Sequence, residues 1–253
     1  MKLKYNIIAL FIASFFIANL SAQDVDKKSL NLNFLLGFNF GATAPMPLPV
    51  EIRGIDSYNP KINPQIGLNV TYGLTDKWGV GTGITLDWKG MRVADHVKYM
   101  YTSVVLVEDG DKLTGYFVGK NKTNVDMTYI TIPVYGTYSF NEKWQVKMGI
   151  YAAKTLSSKF DGDVNDGYIR IESPTGQKQE ISGDGATFDF GKDARDYDFG
   201  MLGGGDFQLS NRIGFYGNMS WGLMPYFYSG ANPLKFKMHN MYATIGVTYR
   251  IKK

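Results

Sequence analysis

Apolar and polar residues alternate with a period of two through most of this chain. Between Trp78 and Lys89, one parity holds Trp78, Val80, Thr82, Ile84, Leu86 and Trp88, and the other Gly79, Gly81, Gly83, Thr85, Asp87 and Lys89. A period of two is that of a β-strand with two chemically different faces. Leu30 to Gly41, Gln65 to Tyr72, Tyr129 to Tyr135, Trp144 to Tyr151 and Tyr242 to Ile251 repeat the pattern, and less regular runs cover 198–209 and 213–224. Together these predict eight strands, each bounded by turn signals.

The connections fall into two kinds. "LTDKWGVGTGI" (Leu74 to Ile84), "FNEKWQVKMGI" (Phe140 to Ile150) and "LSNRIGFYGNM" (Leu209 to Met219) repeat one design, a few polar residues between two alternating runs. That design is a tight hairpin turn. The other connections are long and polar, at 42–63, 91–126, 158–197 and 225–238. Short turns on one rim and long loops on the other characterise transmembrane β-barrels, with the turns periplasmic. The expected fold is therefore all-β: a closed antiparallel up-and-down barrel of eight strands, with long extracellular loops and both termini periplasmic. Within two of those loops, "VVLVEDGDKLTGYFVG" (Val104 to Gly119) and "YIRIESPTGQKQEIS" (Tyr168 to Ser182) place turn residues between strand-like arms, which would extend the sheet above the membrane or add strands to make ten.

A soluble sandwich would also show alternation, so a length decides between them. Trp78 and Trp88 are ten residues apart. At ~3.3 Å per residue and ~40° of tilt they lie about 25 Å apart along the membrane normal, the height of a barrel's apolar band. Trp78, Trp88, Trp144 and Trp221 are the expected aromatic girdle. The other parity faces inward and includes Asp87, Lys89, Gln145, Lys147, Tyr151, Asp198, Asp206, Tyr216, Asn218, Tyr242 and Arg250. Eight strands enclose an interior only just wide enough for side chains to fill. Asp87, Lys89, Lys147, Asp198, Asp206 and Arg250 are thus expected to form a polar network that plugs the lumen.

The N-terminus addresses compartment. Met1 to Lys4 carries two lysines, Ile7 to Leu20 is mostly apolar, and Ser21-Ala22 precedes Gln23. This reads as a secretory signal peptide over 1–22, leaving an outer-membrane domain over 23–253. An apolar run of about 14 residues is too short for a comfortable helical span. The chain has no cysteine, which excludes disulfides and a lipid-modified N-terminal cysteine. Its formal charge of +4 is modest and its lysines are scattered, so the basic patch that nucleic acid requires is missing.

Several segments carry a family resemblance: "YITIPVYGTYSF", "KWQVKMGIYAAKTLS", "DFGMLGGGDFQLSNRIGFYGNMSWGLM" and the final "YATIGVTYRI". Over most of the mature chain these resemble the PorT-like outer-membrane β-barrel family of Bacteroidetes, small barrels of the OmpA/OmpX type. The resemblance implies outer-membrane lipid and the barrel-assembly machinery as partners, with surface or secretion-system proteins as further candidates. The family commonly ends Tyr-Arg-Phe, whereas this chain ends Tyr249-Arg250-Ile251-Lys252-Lys253. Membership specifies fold far better than activity.

Candidate chemistry is sparse. The two histidines, His96 and His239, fall near the expected extracellular rim beside Asp95, but no nucleophile motif accompanies them. In "DGDVNDGYIRIE", Asp161, Asp163, Asn165 and Glu172 occupy positions 1, 3, 5 and 12 of a calcium loop, yet Asp166 stands where glycine is needed. "GVGTG" and "GGG" precede no helix and are not nucleotide loops. No cofactor and no catalytic site is expected. The sequence points to a structural, adhesive or assembly role through surface loops, with a narrow porin-like channel or a rim enzyme as alternatives.

Overall fold

The computed structural model describes residues 30–108, 110–181, 185–230 and 234–252. The proposed signal peptide lies outside them. Eleven strands form one antiparallel sheet: β1 (Leu30–Pro45), β2 (Ile52–Pro60), β3 (Pro64–Gly73), β4 (Trp78–Leu106), β5 (Lys112–Ser139), β6 (Trp144–Ile171), β7 (Lys178–Ile181), β8 (Ala186–Asp189), β9 (Tyr197–Gln208), β10 (Ile213–Gly222) and β11 (Met238–Lys252). Pairing runs β4-β3-β1-β11-β10-β9-β6-β5, and β5 pairs again with β4, so this path returns on itself as a ring. β2 and β8 add to β4, and β7 and β8 add to β6.

This corrects the expected eight-stranded barrel with long loops. The sheet has 11 strands, and much of the chain expected as loop at 91–126 and 158–197 is strand. β4, β5 and β6 are 29, 28 and 28 residues long. At ~3.3 Å per residue and ~40° of tilt, 29 residues rise about 70 Å, far more than an apolar band of about 25 Å. The excess of all three, with β2, β7 and β8, forms a folded head at the end of the ring opposite the short turns.

Parity explains how a strand can serve both parts. Along β4 the odd positions face inward as far as Val97: Asp87 and Lys89 are buried in the ring, Met91, Asp95 and Val97 in the head. Inside the ring the buried face is polar and the exposed face apolar, with Trp78, Met148 and Met219 at 58%, 78% and 73% exposure. Beyond Lys89 the chemistry reverses. The inward residues become apolar and the outward ones are Arg92, His96 and Lys98, as in a water-soluble protein. A bulge at Lys98/Met100, with Tyr99 at φ 58°, then moves the inward set to Met100, Thr102 and Val104. The head core continues through Phe117, Val125, Phe160, Val164, Ile169 and Phe188, all buried.

The three repeated turns share one hydrogen-bond pattern. Thr75 Oγ1 accepts from Trp78 N at 2.9 Å, Asn141 Oδ1 from Trp144 N at 2.9 Å, and Ser210 Oγ from Ile213 N at 3.2 Å. In each, the residue before that acceptor donates its N–H to the carbonyl four residues on: Leu74 to Trp78, Phe140 to Trp144, Leu209 to Ile213. A side-chain oxygen closing its own turn is why Thr, Asn and Ser recur there.

Candidate functional site

Three clusters of buried polar groups occupy the interior of the ring. Nearest the short turns, Lys147 Nζ lies 2.9 Å from Asp206 Oδ1, and the two side chains are 4% and 25% exposed. The same ammonium sits 5.7 Å and 5.4 Å from the ring centroids of Tyr135 and Tyr216. Two glycines, Gly37 and Gly246, leave room for Tyr216 to cross the interior, where any β-carbon would meet its ring or hydroxyl. Its hydroxyl donates to Gln65 Oε1 at 2.7 Å.

Gln65 links that level to the next. Its amide donates to Asp87 Oδ1, which also accepts from Asn39 Nδ2 at 3.3 Å, while Thr85 Oγ1 donates to Oδ2 at 2.7 Å. Thr244 Oγ1 donates to Asn39 Oδ1 at 2.6 Å. Both oxygens of Asp87 therefore have donors, the condition under which a carboxylate tolerates burial.

The third cluster lies toward the head. Asp198 Oδ2 accepts from Tyr151 Oη at 3.0 Å and Asn240 Nδ2 at 2.9 Å, whereas its Oδ1 has no partner among the described residues. Thr43 Oγ1 donates to Asn240 Oδ1 at 2.7 Å. Among the described residues Lys89 forms no ion pair; its Nζ is 5.3, 5.6 and 5.3 Å from the ring centroids of Tyr129, Tyr151 and Tyr242. Tyrosine faces carry negative charge density, so this cage offers Lys89 cation–π attraction in place of a carboxylate.

Arg250 stands apart from these clusters. It is partly exposed near the short turns, with Nη2 2.9 Å from Gln208 Oε1 and Nη1 3.4 Å from Asn211 O. Trp78 and Trp144 lie beside the short turns, packed 4.8 Å from Tyr138 and 4.7 Å from Phe207 between ring centroids. Trp221 lies at the far end of β10 and Trp88 within β4, ten residues beyond Trp78; Trp221 is 48% exposed, while Trp88 is only partly so.

The remaining sequence candidates are not brought together. Asp161, Asp163 and Asn165 lie on β6, and Glu172 follows its end. An extended segment of that length separates Asp161 from Glu172 by roughly 30 Å, too far for one ion. Asp161 instead pairs with Lys159 at 3.1 Å and accepts from Asn124 at 2.7 Å, and Asp163 lies 3.8 Å from Lys122. Among the described residues no group of three His, Cys, Asp or Glu could hold a metal. His96 pairs with Asp56 at 2.9 Å on the outer surface, and His239 Nδ1 donates to Gly222 O at 2.9 Å. Asp95 points the other way, into the head, where Asn121 Nδ2 donates to its Oδ1 at 2.9 Å. Burial pushes its carboxyl up to about 6, with Asp56 adding to the rise and Asn121 and His96 opposing it.

Asn39, Gln65, Asn240 and, of the tyrosine cage, Tyr129 were missing from the inward set read from the sequence, which held Tyr151 and Tyr242. Their signal was present, since Asn39 and Gln65 hold the inward parity of β1 and β3.

The model of the outer membrane protein beta-barrel domain family matches residues 21–228. No curated protein matches the chain. Among solved structures, Ail of Yersinia pestis in complex with the heparin analogue sucrose octasulfate is similar at 10% identity and a TM-score of 0.40, with 89% of this chain and 100% of that one covered. OprG of Pseudomonas aeruginosa gives 13% identity and 0.37, over 89% and 98%. CarO2 of Acinetobacter baumannii gives 12% and 0.38, over 89% and 100%. Likenesses at this level leave the activity open.

Proposed function

The chain belongs to the outer membrane protein beta-barrel domain family, and we propose that it is a non-conducting outer-membrane protein that acts through its head. Family membership supports an outer-membrane location. Its role is non-enzymatic, structural or adhesive, with the ring serving as a filled pedestal. The observation that carries this reading is the interior itself: Asp87, Lys89, Lys147 and Asp198 are all buried and held by neighbouring side chains. Groups lining a water-filled channel would be solvated instead.

In this reading residues 1–22 are a cleaved signal peptide, the short turns and both termini are periplasmic, and the head is extracellular. Barrel-assembly machinery would insert the chain. Kinship with the PorT-like branch rests on the motifs of β5, β6, β9, β10 and β11.

The absence of cysteine makes orientation directly testable. Thr175, at the exposed β6–β7 turn, and Asp76, in the β3–β4 turn, are each replaced by cysteine. A membrane-impermeant maleimide on intact cells should label Thr175→Cys, and should label Asp76→Cys only after the outer membrane is permeabilised. The opposite pattern would overturn the proposal.

A further inference from the structure

The head encloses a cavity of about 180 Å³ that touches the interior clusters only at Thr43. Its walls are apolar: Met100, Phe160, Phe188, Phe190 and Met238 all line it, and all are buried. Apart from the hydroxyls of Thr43, Thr102, Thr123 and Tyr58, the polar groups of that lining are Asp95 and Asn121, 7% and 5% exposed. Asn121 spends its amide N–H groups on Asp95 Oδ1 at 2.9 Å and Thr123 Oγ1 at 3.2 Å. Its carbonyl oxygen, Oδ1, is buried with no partner among the described residues. Asp95 appears in no ion pair among those residues, and the charges that bear on it are Asp56 and His96. The cavity thus joins an apolar chamber to a corner whose unspent capacity is to accept hydrogen bonds and to pair with a cation.

Each feature constrains the occupant. A dry apolar cavity of about 150 Å³ is enough for benzene, so this one suits a single ring or a chain of about six carbons. A buried amide oxygen left without a donor is costly, as is a buried carboxylate without a cation. An ammonium group carries three donors and a positive charge, and so answers both. A carboxylate ligand would face an acceptor and a like charge. A neutral alcohol has one donor and leaves Asp95 uncompensated. Leu48, Ile55 and Tyr58, exposed residues of the β1–β2 segment and β2, form the wall nearest solvent and the way in.

We propose that the head cavity is a binding site for small apolar primary amines, with the hydrocarbon body among the aromatic walls and the ammonium on Asp95 and Asn121. The site is independent of conduction and of the head's orientation.

The test uses the full chain in lipid nanodiscs with 4-fluorophenethylamine as probe, followed by fluorine NMR. Wild type should bind it saturably. 4-Fluorophenethyl alcohol and 3-(4-fluorophenyl)propanoate, with the same body and other heads, should bind at least tenfold more weakly. Asp95→Asn should weaken amine binding at least tenfold. Val93→Phe, which fills the cavity from β4, should abolish it; Val93 is one of the lining residues. Circular dichroism establishes that each variant is folded, and if Val93→Phe is not, Asp95→Asn and the two control probes decide. No saturable amine binding by wild type, equal binding of the propanoate or alcohol, or amine binding unchanged in Asp95→Asn would each overturn the proposal.

Discussion

Replacing Asp206 by alanine isolates the energetics of the filled interior. Asp206 is the only carboxylate paired with Lys147 among the described residues, at 2.9 Å, and the lysine side chain is 4% exposed. Removing one member of a buried pair costs about 3–5 kcal/mol, because the other charge stays out of water without compensation. Two features lower that figure here. Asp206 is itself 25% exposed, and Lys147 keeps its contacts with the Tyr135 and Tyr216 rings. Such cation–π contacts are worth about 0.5–2 kcal/mol each, so a loss of about 2–3 kcal/mol is expected. Urea unfolding in phospholipid vesicles, followed by fluorescence of the four tryptophans, reads it directly. The double variant Lys147→Met with Asp206→Leu removes both charges and fills the volume, and should return to within about 1 kcal/mol of the parent. Asp206→Ala as stable as the parent to within about 0.5 kcal/mol would refute the reasoning. So would a double variant no better than the single one.

Other expectations follow from individual contacts. Arg250→Ala should cost less than about 1 kcal/mol in the same unfolding experiment, since Arg250 is partly exposed and, among the described residues, its side chain bonds only Gln208 and Asn211. Asn141→Ala should cost about 1 kcal/mol, because Asn141 Oδ1 accepts from both Lys143 N and Trp144 N at 2.9 Å. Asp95 holds its proton more tightly folded than unfolded, its carboxyl rising from 3.8 to about 6. The folded state therefore binds the extra proton between about pH 4 and 6, and stability from this group falls as pH rises through that window, by about 3 kcal/mol at most. Asp95→Asn should flatten that part of the stability profile relative to wild type; identical slopes would count against it. N-terminal sequencing of the mature protein should begin within a residue or two of Gln23, and an intact Met1 in the membrane fraction would overturn the signal peptide.

What the sequence reveals of this fold depends on which face of a strand is read. The repeated turns are legible because Thr75, Asn141 and Ser210 do the same job with the same kind of atom. The lipid-facing parity is legible wherever apolar residues alternate with glycine or polar ones, as from Trp78 to Lys89. The head is illegible by that criterion. Past Lys89 the odd positions of β4 remain inward but turn apolar, and Arg92, His96 and Lys98 take the outer face. A strand sought by its apolar exterior ends at Lys89, although the backbone continues to Leu106. The bulge at Lys98/Met100 breaks the period once more. For the interior, charged positions such as Lys147 and Asp206 announced themselves. The pairing of Lys89 with three tyrosines did not, since those rings come from β5, β6 and β11 and meet only in the closed ring. The head cavity was beyond reach because its walls lie in segments that looked like polar loops.

The central claim is that the ring's interior is filled by its own side chains, so that the protein acts through its head. Planar-bilayer recording of the purified wild-type chain tests this most directly. The account predicts a baseline indistinguishable from protein-free bilayers at either polarity. Steady, voltage-independent single-channel currents from the folded wild-type protein would contradict it.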